Sequence, residues 1–148
     1  AGLYAWRSWA NDTTGLSTLT PWFYFRVEKA QASCTQEFFK SPDNDSVRAV
    51  CYCLTICIDN SSEMWRKDGN RWENVTHEKN VYIDFSELLG AANEKTWTYV
   101  CNRSESRNYL SARTEKQLKC NRTAEGVITC YYKEDGEWVS VPEYRQMG

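Results

Sequence analysis

The sequence predicts an all-β domain of short antiparallel strands stapled by disulfides, and three observations predict it. Strand-like runs recur at roughly ten-residue intervals between turn signals, the pattern of a barrel or sandwich. Seven Trp, nine Tyr and five Phe against three Pro favour pleated, well-packed surfaces. Cys34, Cys51, Cys53, Cys57, Cys101, Cys120 and Cys130 read as a disulfide framework, with one left unpaired because their number is odd.

The compartment follows from a second pattern. Asn11, Asn44, Asn60, Asn74, Asn102 and Asn121 each open an Asn-x-Ser/Thr triplet without proline. Chance would place about one or two of the ten asparagines so, and the excess reads as N-glycosylation of a secreted chain. The start, Ala1-Gly2-Leu3-Tyr4, has neither a basic nor an apolar leader segment and reads as a terminus left after signal removal. No apolar run reaches the length of a membrane span. Net charge is −2 with both signs interspersed, which argues against nucleic acid and anionic membrane as partners. At 148 residues the chain is expected to form a single domain.

The elements are expected in the following order. Trp6 and Trp9, three apart, suit a short helical turn, and Asn11 to Thr20 is a polar loop. Trp22 to Ala30 is an aromatic-rich strand, and Thr35 to Asp45 is polar, with a turn at Ser41-Pro42-Asp43-Asn44. Val47 to Ile58 is the strongest strand: Val47, Ala49, Cys51, Cys53 and Cys57 share one face. Val50, Tyr52, Leu54 and Ile56 share the other, so both faces are expected to be covered. Cysteines on one face need partners across it, drawn from Cys34, Cys101, Cys120 and Cys130. Asp68-Gly69 signals a hairpin between Glu63-Met64-Trp65 and Arg71-Trp72. Trp72 to Thr76 and Asn80 to Phe85 are strands, and Ser86 to Ala92 fits one helical turn capped by Ser86 and weakened by Gly90. Thr96 to Cys101 alternates cleanly, and Tyr109 to Ala112, Gln117 to Cys120, Gly126 to Tyr132 and Glu137 to Val141 complete the set. Lys133-Glu134-Asp135-Gly136 joins the last two.

The residues speak for binding rather than catalysis. The sole histidine, His77, sits among charges beside a sequon and reads as a solvated turn residue. There is no Cys-x-x-Cys pair and no glycine-rich phosphate loop, so neither a metal site nor a cofactor is expected. Acidic residues do lie near aromatic ones on strands: Glu28 after Tyr24, Asp84 beside Phe85, Glu137 before Trp138. In a closed barrel such side chains point inward on alternate positions and would form a cavity for a cationic, ring-bearing ligand. Tyr24, Glu28, Asp84, Trp97, Tyr99 and Trp138 are the candidate ligand-binding residues on that reading.

A family resemblance strengthens it. Ala5-Trp6-Arg7-Ser8-Trp9, then the run from Trp22 to Ala30, then Cys34, resembles the opening of tick salivary lipocalins of the histamine-binding type. Val47 to Ile58, Arg71-Trp72-Glu73-Asn74-Val75-Thr76 and Asn80-Val81-Tyr82 are similar to that family's second and third strands, so the likeness spans residues 5–85. The resemblance implies a lipocalin-like antiparallel barrel of eight strands with short flanking helices. It also implies a secreted immune-evasion protein of a host–parasite interaction, sequestering a host amine or lipid or blocking a host immune protein.

An immunoglobulin-like β-sandwich is the alternative. Cys57, Trp65-Arg66-Lys67-Asp68-Gly69 and Tyr99-Val100-Cys101 resemble the cysteine, core tryptophan and Tyr-x-Cys of that fold, which serves protein contacts in immune-evasion glycoproteins and receptor ectodomains. A Cys57–Cys101 bridge would favour the sandwich, and a bridge from Cys34 to a late cysteine the barrel. On either fold the odd cysteine allows a disulfide-linked or non-covalent dimer.

Overall fold

Residues 2–11, 15, 17–55, 58–59 and 61–143 are described by the computed structural model of the chain. Cys57 and Asn60 lie outside them, as does residue 56 of the expected long strand.

Among the described residues the strands run in the order β1 (Gly2–Trp6), β2 (Trp9–Asn11), β3 (Ser17–Leu19), β4 (Phe23–Val27), β5 (Ser33–Lys40), β6 (Ser46–Leu54) and β7 (Ile58–Asp59), followed by β8 (Glu63–Asp68) and β9 (Arg71–Asn74). A 3-10 helix (Thr76–Glu78) leads to β10 (Tyr82–Asp84) and α1 (Phe85–Leu89), followed by β11 (Glu94–Arg103), β12 (Ala112–Arg122), β13 (Ile128–Glu134) and β14 (Glu137–Ser140). The protein is mostly β, every ladder between strands is antiparallel, and helix is nearly absent. No helix is long and apolar enough to cross a membrane among the described residues.

The strands do not close into a barrel among the described residues. One sheet has the order β10-β6-β5, with β7 added to β6, and a second has the order β14-β13-β12-β11-β8-β9. Their inner faces share one core, formed around Phe38, Val47, Met64, Trp97, Tyr99 and Leu118. Cys51 on β6 is bonded to Cys101 on β11, so a disulfide ties one sheet to the other. Cys34–Cys53 and Cys120–Cys130 are directly opposed cross-strand pairs within their sheets, with Cα atoms 4.0 and 4.1 Å apart. Neither of the two pairings that would discriminate the folds occurs: Cys101 takes Cys51, and Cys34 takes a neighbour rather than a late cysteine.

Local chemistry explains most of the strands. On β6 the residues Val47, Ala49, Cys51 and Cys53 are buried and alternate with less buried ones, as a period of two requires. The opposite face is not covered as expected: Val50 and Tyr52 are half-buried and Leu54 is exposed. The Asp68-Gly69 hairpin forms as expected, with Asp68 opposite Arg71 and Gly69 at a φ of 63°. Asp135 (φ 51°) and Gly136 (φ 82°) make the two-residue loop between β13 and β14, the two left-handed positions that a type I′ turn demands. The helical turn is Phe85–Leu89, one residue earlier than expected, so Asp84 and not Ser86 holds the N-cap position, and it is stopped by Gly90 at a φ of 64°.

Four expected elements differ, the first being the polar loop expected over Asn11 to Thr20, where Ser17–Leu19 is strand β3 because it pairs with β2. Trp6 and Trp9 lie on strands β1 and β2, not on a helical turn, because their segment pairs with residues downstream rather than with itself. The polar stretch after Ser33 is strand β5, held by an eight-residue register with β6 and buried through Gln36 and Phe38. Ala112–Arg122 is one long strand where two short ones were expected. Of the short flanking helices that the lipocalin resemblance implies, none follows β14 as far as Glu143, the last described residue.

Candidate functional site

The interior between the sheets is filled. The void lined by Phe38, Val47, Met64, Arg66, Glu78, Tyr99 and Leu118 has a volume of about 10 Å³. That is about the room one water molecule needs, far short of a ring-bearing ligand.

A cross-strand polar ladder plugs this interior. The register sets Tyr99 on β11 opposite Arg66 on β8, and Arg66 opposite Glu73 on β9. The Arg66 guanidinium donates to the Tyr99 hydroxyl oxygen at 3.3 Å and pairs with Glu78 and Glu73, each at 3.4 Å. Phe38 meets the Tyr99 ring edge-on at 5.1 Å. Burial pushes the Tyr99 phenol above its usual range, and the Arg66 charge counters only part of that. The folded state therefore favours the neutral phenol, while the unfolded chain ionises from about pH 10. Stability from this source is complete below pH 10 and falls as pH rises above it. Tyr99→Phe is expected to flatten that alkaline decline, read as denaturation midpoints between pH 8 and 11. An equally steep decline in the variant would place its origin elsewhere.

The six candidate ligand residues are dispersed. Trp97 and Tyr99 share the inner face of β11, both in the core. Trp138 lies half-buried on β14, under the ammonium of Lys119 at 4.4 Å from its ring. Asp84 is exposed at the start of α1, and Glu28 is exposed after β4. Tyr24, 68% exposed, stands on β4. The structure brings only Trp97 and Tyr99 together. His77 is exposed on the 3-10 helix.

The largest departure is at the N-terminal end. Among the described residues, strands β1 to β4 form an arm that joins neither sheet: β1 pairs with β4, and β2 with β3. Thr20 and Ser8 link the two ladders through paired hydrogen bonds, and the Arg7 guanidinium caps the Trp22 ring at 4.3 Å. The arm is rooted where Ala30 bonds to Asn108 and Leu110, with Lys29 and Glu105 paired at 2.8 Å. One face carries Tyr4 stacked on Phe25 and Trp6 stacked on Phe23, with centroids 5.4 and 4.9 Å apart. Ten of the sixteen exposed large hydrophobic side chains among the described residues belong to this arm, Trp9 (60%) and Tyr24 (68%) the most exposed of its aromatics.

That aromatic load is large on the scale of protein surfaces. Seven half-exposed rings offer about 100 Å² each, and the four on the stacked face, Tyr4, Trp6, Phe23 and Phe25, about 400 Å² together. A monomer's largest apolar patch is typically about 300–600 Å², and a stable interface takes about 800 Å² from each partner. At the base of the arm, Leu3, Arg26, Val27, Glu28, Lys29 and Leu110 line an open cleft of about 570 Å³. The run from Trp22 to Ala30 is legible as a strand, here β4, but its residues alone leave a core, a ligand cavity and an exposed contact face open for its aromatics. The overlooked signal was the isolation of the segment, with polar stretches on both sides of its aromatic runs.

Comparison of the chain with protein-family models, curated proteins and solved structures finds no match.

Proposed function

We propose that this protein is a secreted, glycosylated binding protein, not an enzyme, and that its ligand is a macromolecule gripped by the aromatic arm. The observation that carries the reading is the arm itself, with its rings in water while the interior is full. An isolated two-stranded hairpin is marginal in water, so a surface that covers it gains both burial and order. Trp and Tyr are the side chains that most often anchor protein interfaces. Three disulfides suit an oxidising compartment. Both resemblances, to salivary lipocalins and to the immunoglobulin-like sandwich, allow a host immune protein as that partner. For the architecture, the Cys51–Cys101 bridge between open sheets supports a sandwich over a closed barrel.

The test is capture from host plasma by the immobilised chain and by Trp9→Ala and Tyr24→Ala variants. These rings are the arm's most exposed aromatics, so each truncation is expected to weaken capture tenfold or more without moving the thermal midpoint. Capture that survives the double variant unchanged would remove the arm from the interaction.

A second reading, sequestration of a small mediator, is favoured only by the cleft at the arm's base. Apolar Leu3, Val27 and Leu110 beside Arg26 and Lys29 suit a lipid with an anionic head better than an amine, despite Glu28. Saturable quenching of tryptophan emission by a fatty acid, with none by histamine or serotonin, would move the function to that cleft.

A further inference from the structure

Three of the six sequons fall on one face. The register sets Asn74 on β9 opposite Trp65 on β8, and Trp65 opposite Val100 on β11. Asn102 follows Val100 on the same face, and Arg113 and Asn121 continue that face on β12. This is the outer face of the six-stranded sheet, away from the core.

Between Asn74 and Asn102 that face is hollowed. Trp65, Trp72, Val100, Asn102 and Arg113 line an open groove of about 290 Å³. Val100 is only 3% exposed although it points away from the core, while Trp72 is 43% exposed. The Trp65 indole N–H donates to the Glu63 carboxylate at 3.2 Å, which fixes its ring. The carboxamide oxygen of Asn102 is inaccessible to solvent and accepts no hydrogen bond. Indole faces, an exposed guanidinium and the Asn102 side chain at the rim together have the chemistry of a sugar seat. Pyranose C–H groups pack on the negative face of an indole, and hydroxyl and acetamido groups reach the polar atoms at the rim.

We propose that this groove seats the protein's own N-linked glycan, attached at Asn102, with its first N-acetylglucosamine packed against Trp65 and Trp72. The proposal rests on the glycoprotein reading. Asn102 is itself part of the lining, so the sugar is delivered by a covalent bond. Stacking too weak to hold a free saccharide suffices once the effective concentration is that of a short tether. The groove is then an internal contact of the mature glycoprotein, and this face is closed to partners.

The test uses the full chain secreted from eukaryotic cells, with glycopeptide mass spectrometry at each sequon. Thermal midpoints are compared for the wild type, Ser104→Ala (which removes the sequon and keeps Asn102), Trp72→Ala and the double variant. Asn102 is expected to be occupied, and Ser104→Ala to lower the midpoint by about 2–4 °C. That loss is expected to disappear in the Trp72→Ala background. Trimming to a single N-acetylglucosamine should leave the midpoint in place. Additive losses, or coupling of Trp72 to Asn74→Gln instead, would overturn the seat. Occupancy elsewhere with Asn102 bare overturns this proposal alone, whereas a chain with no carbohydrate overturns the glycoprotein reading as well.

Discussion

Replacing Cys51 and Cys101 together by alanine is expected to lower the free energy of unfolding by about 4 kcal/mol, the chain entropy released when a fifty-residue loop is no longer closed. Against a total of about 5–15 kcal/mol, that is enough to bring the protein near its unfolding threshold. The bridge is singular because it joins the two sheets, whereas Cys34–Cys53 and Cys120–Cys130 span 19 and 10 residues within hairpins already held by their ladders. Removing either of those pairs is expected to cost less, at most about 3 kcal/mol. The double variant is the informative one. The sulfurs of Cys34, Cys53 and Cys101 all lie within 4.8 Å of one another, so Cys51→Ala alone would leave a thiol beside an intact disulfide and invite exchange. Denaturant midpoints of the three paired variants check the ranking. An inter-sheet variant as stable as the two hairpin variants would mean that the layers are held by packing alone.

Trp97→Ala is expected to cost about 3–5 kcal/mol. Trp97 heads the fully buried side chains by volume, 1% exposed, on the strand that pairs with both β8 and β12. Its removal opens a cavity between sheets that a disulfide holds together, which limits how far they can collapse to fill it. A spectral signature accompanies the loss. Trp6, Trp9, Trp22 and Trp72 are exposed and Trp65 and Trp138 half-buried, so Trp97 supplies the most blue-shifted emission. The folded variant should emit further to the red. A variant within 1 kcal/mol of the wild type would show that the sheets repack around the gap.

Much of the strand plan was legible because it is local. The alternation in Thr96 to Cys101 marked β11 as a strand, and the two Asp-Gly steps gave their hairpins through the left-handed backbone that such turns require. The facing of Cys51 and Cys53 followed from a period of two. Strand β5 was missed for the opposite reason. Thr35, Gln36, Glu37 and Lys40 hide its alternation, and pairing with β6 decides its conformation. The candidate site was less legible still: of the residues proposed to surround a ligand, Trp97 and Tyr99 pack the core, and Tyr24 stands in water.

By itself, the sequence determined an antiparallel β chain cross-linked by cysteines and marked by sequons, since turn chemistry and side-chain alternation act over a few residues. Which cysteines meet, whether the strands close on themselves, and which aromatics lack a covering layer were decided only by the tertiary structure. Those outcomes depend on contacts between distant segments. An indole inside the core and an indole on the arm read alike along the chain, and differ only in whether a second sheet lies across from them.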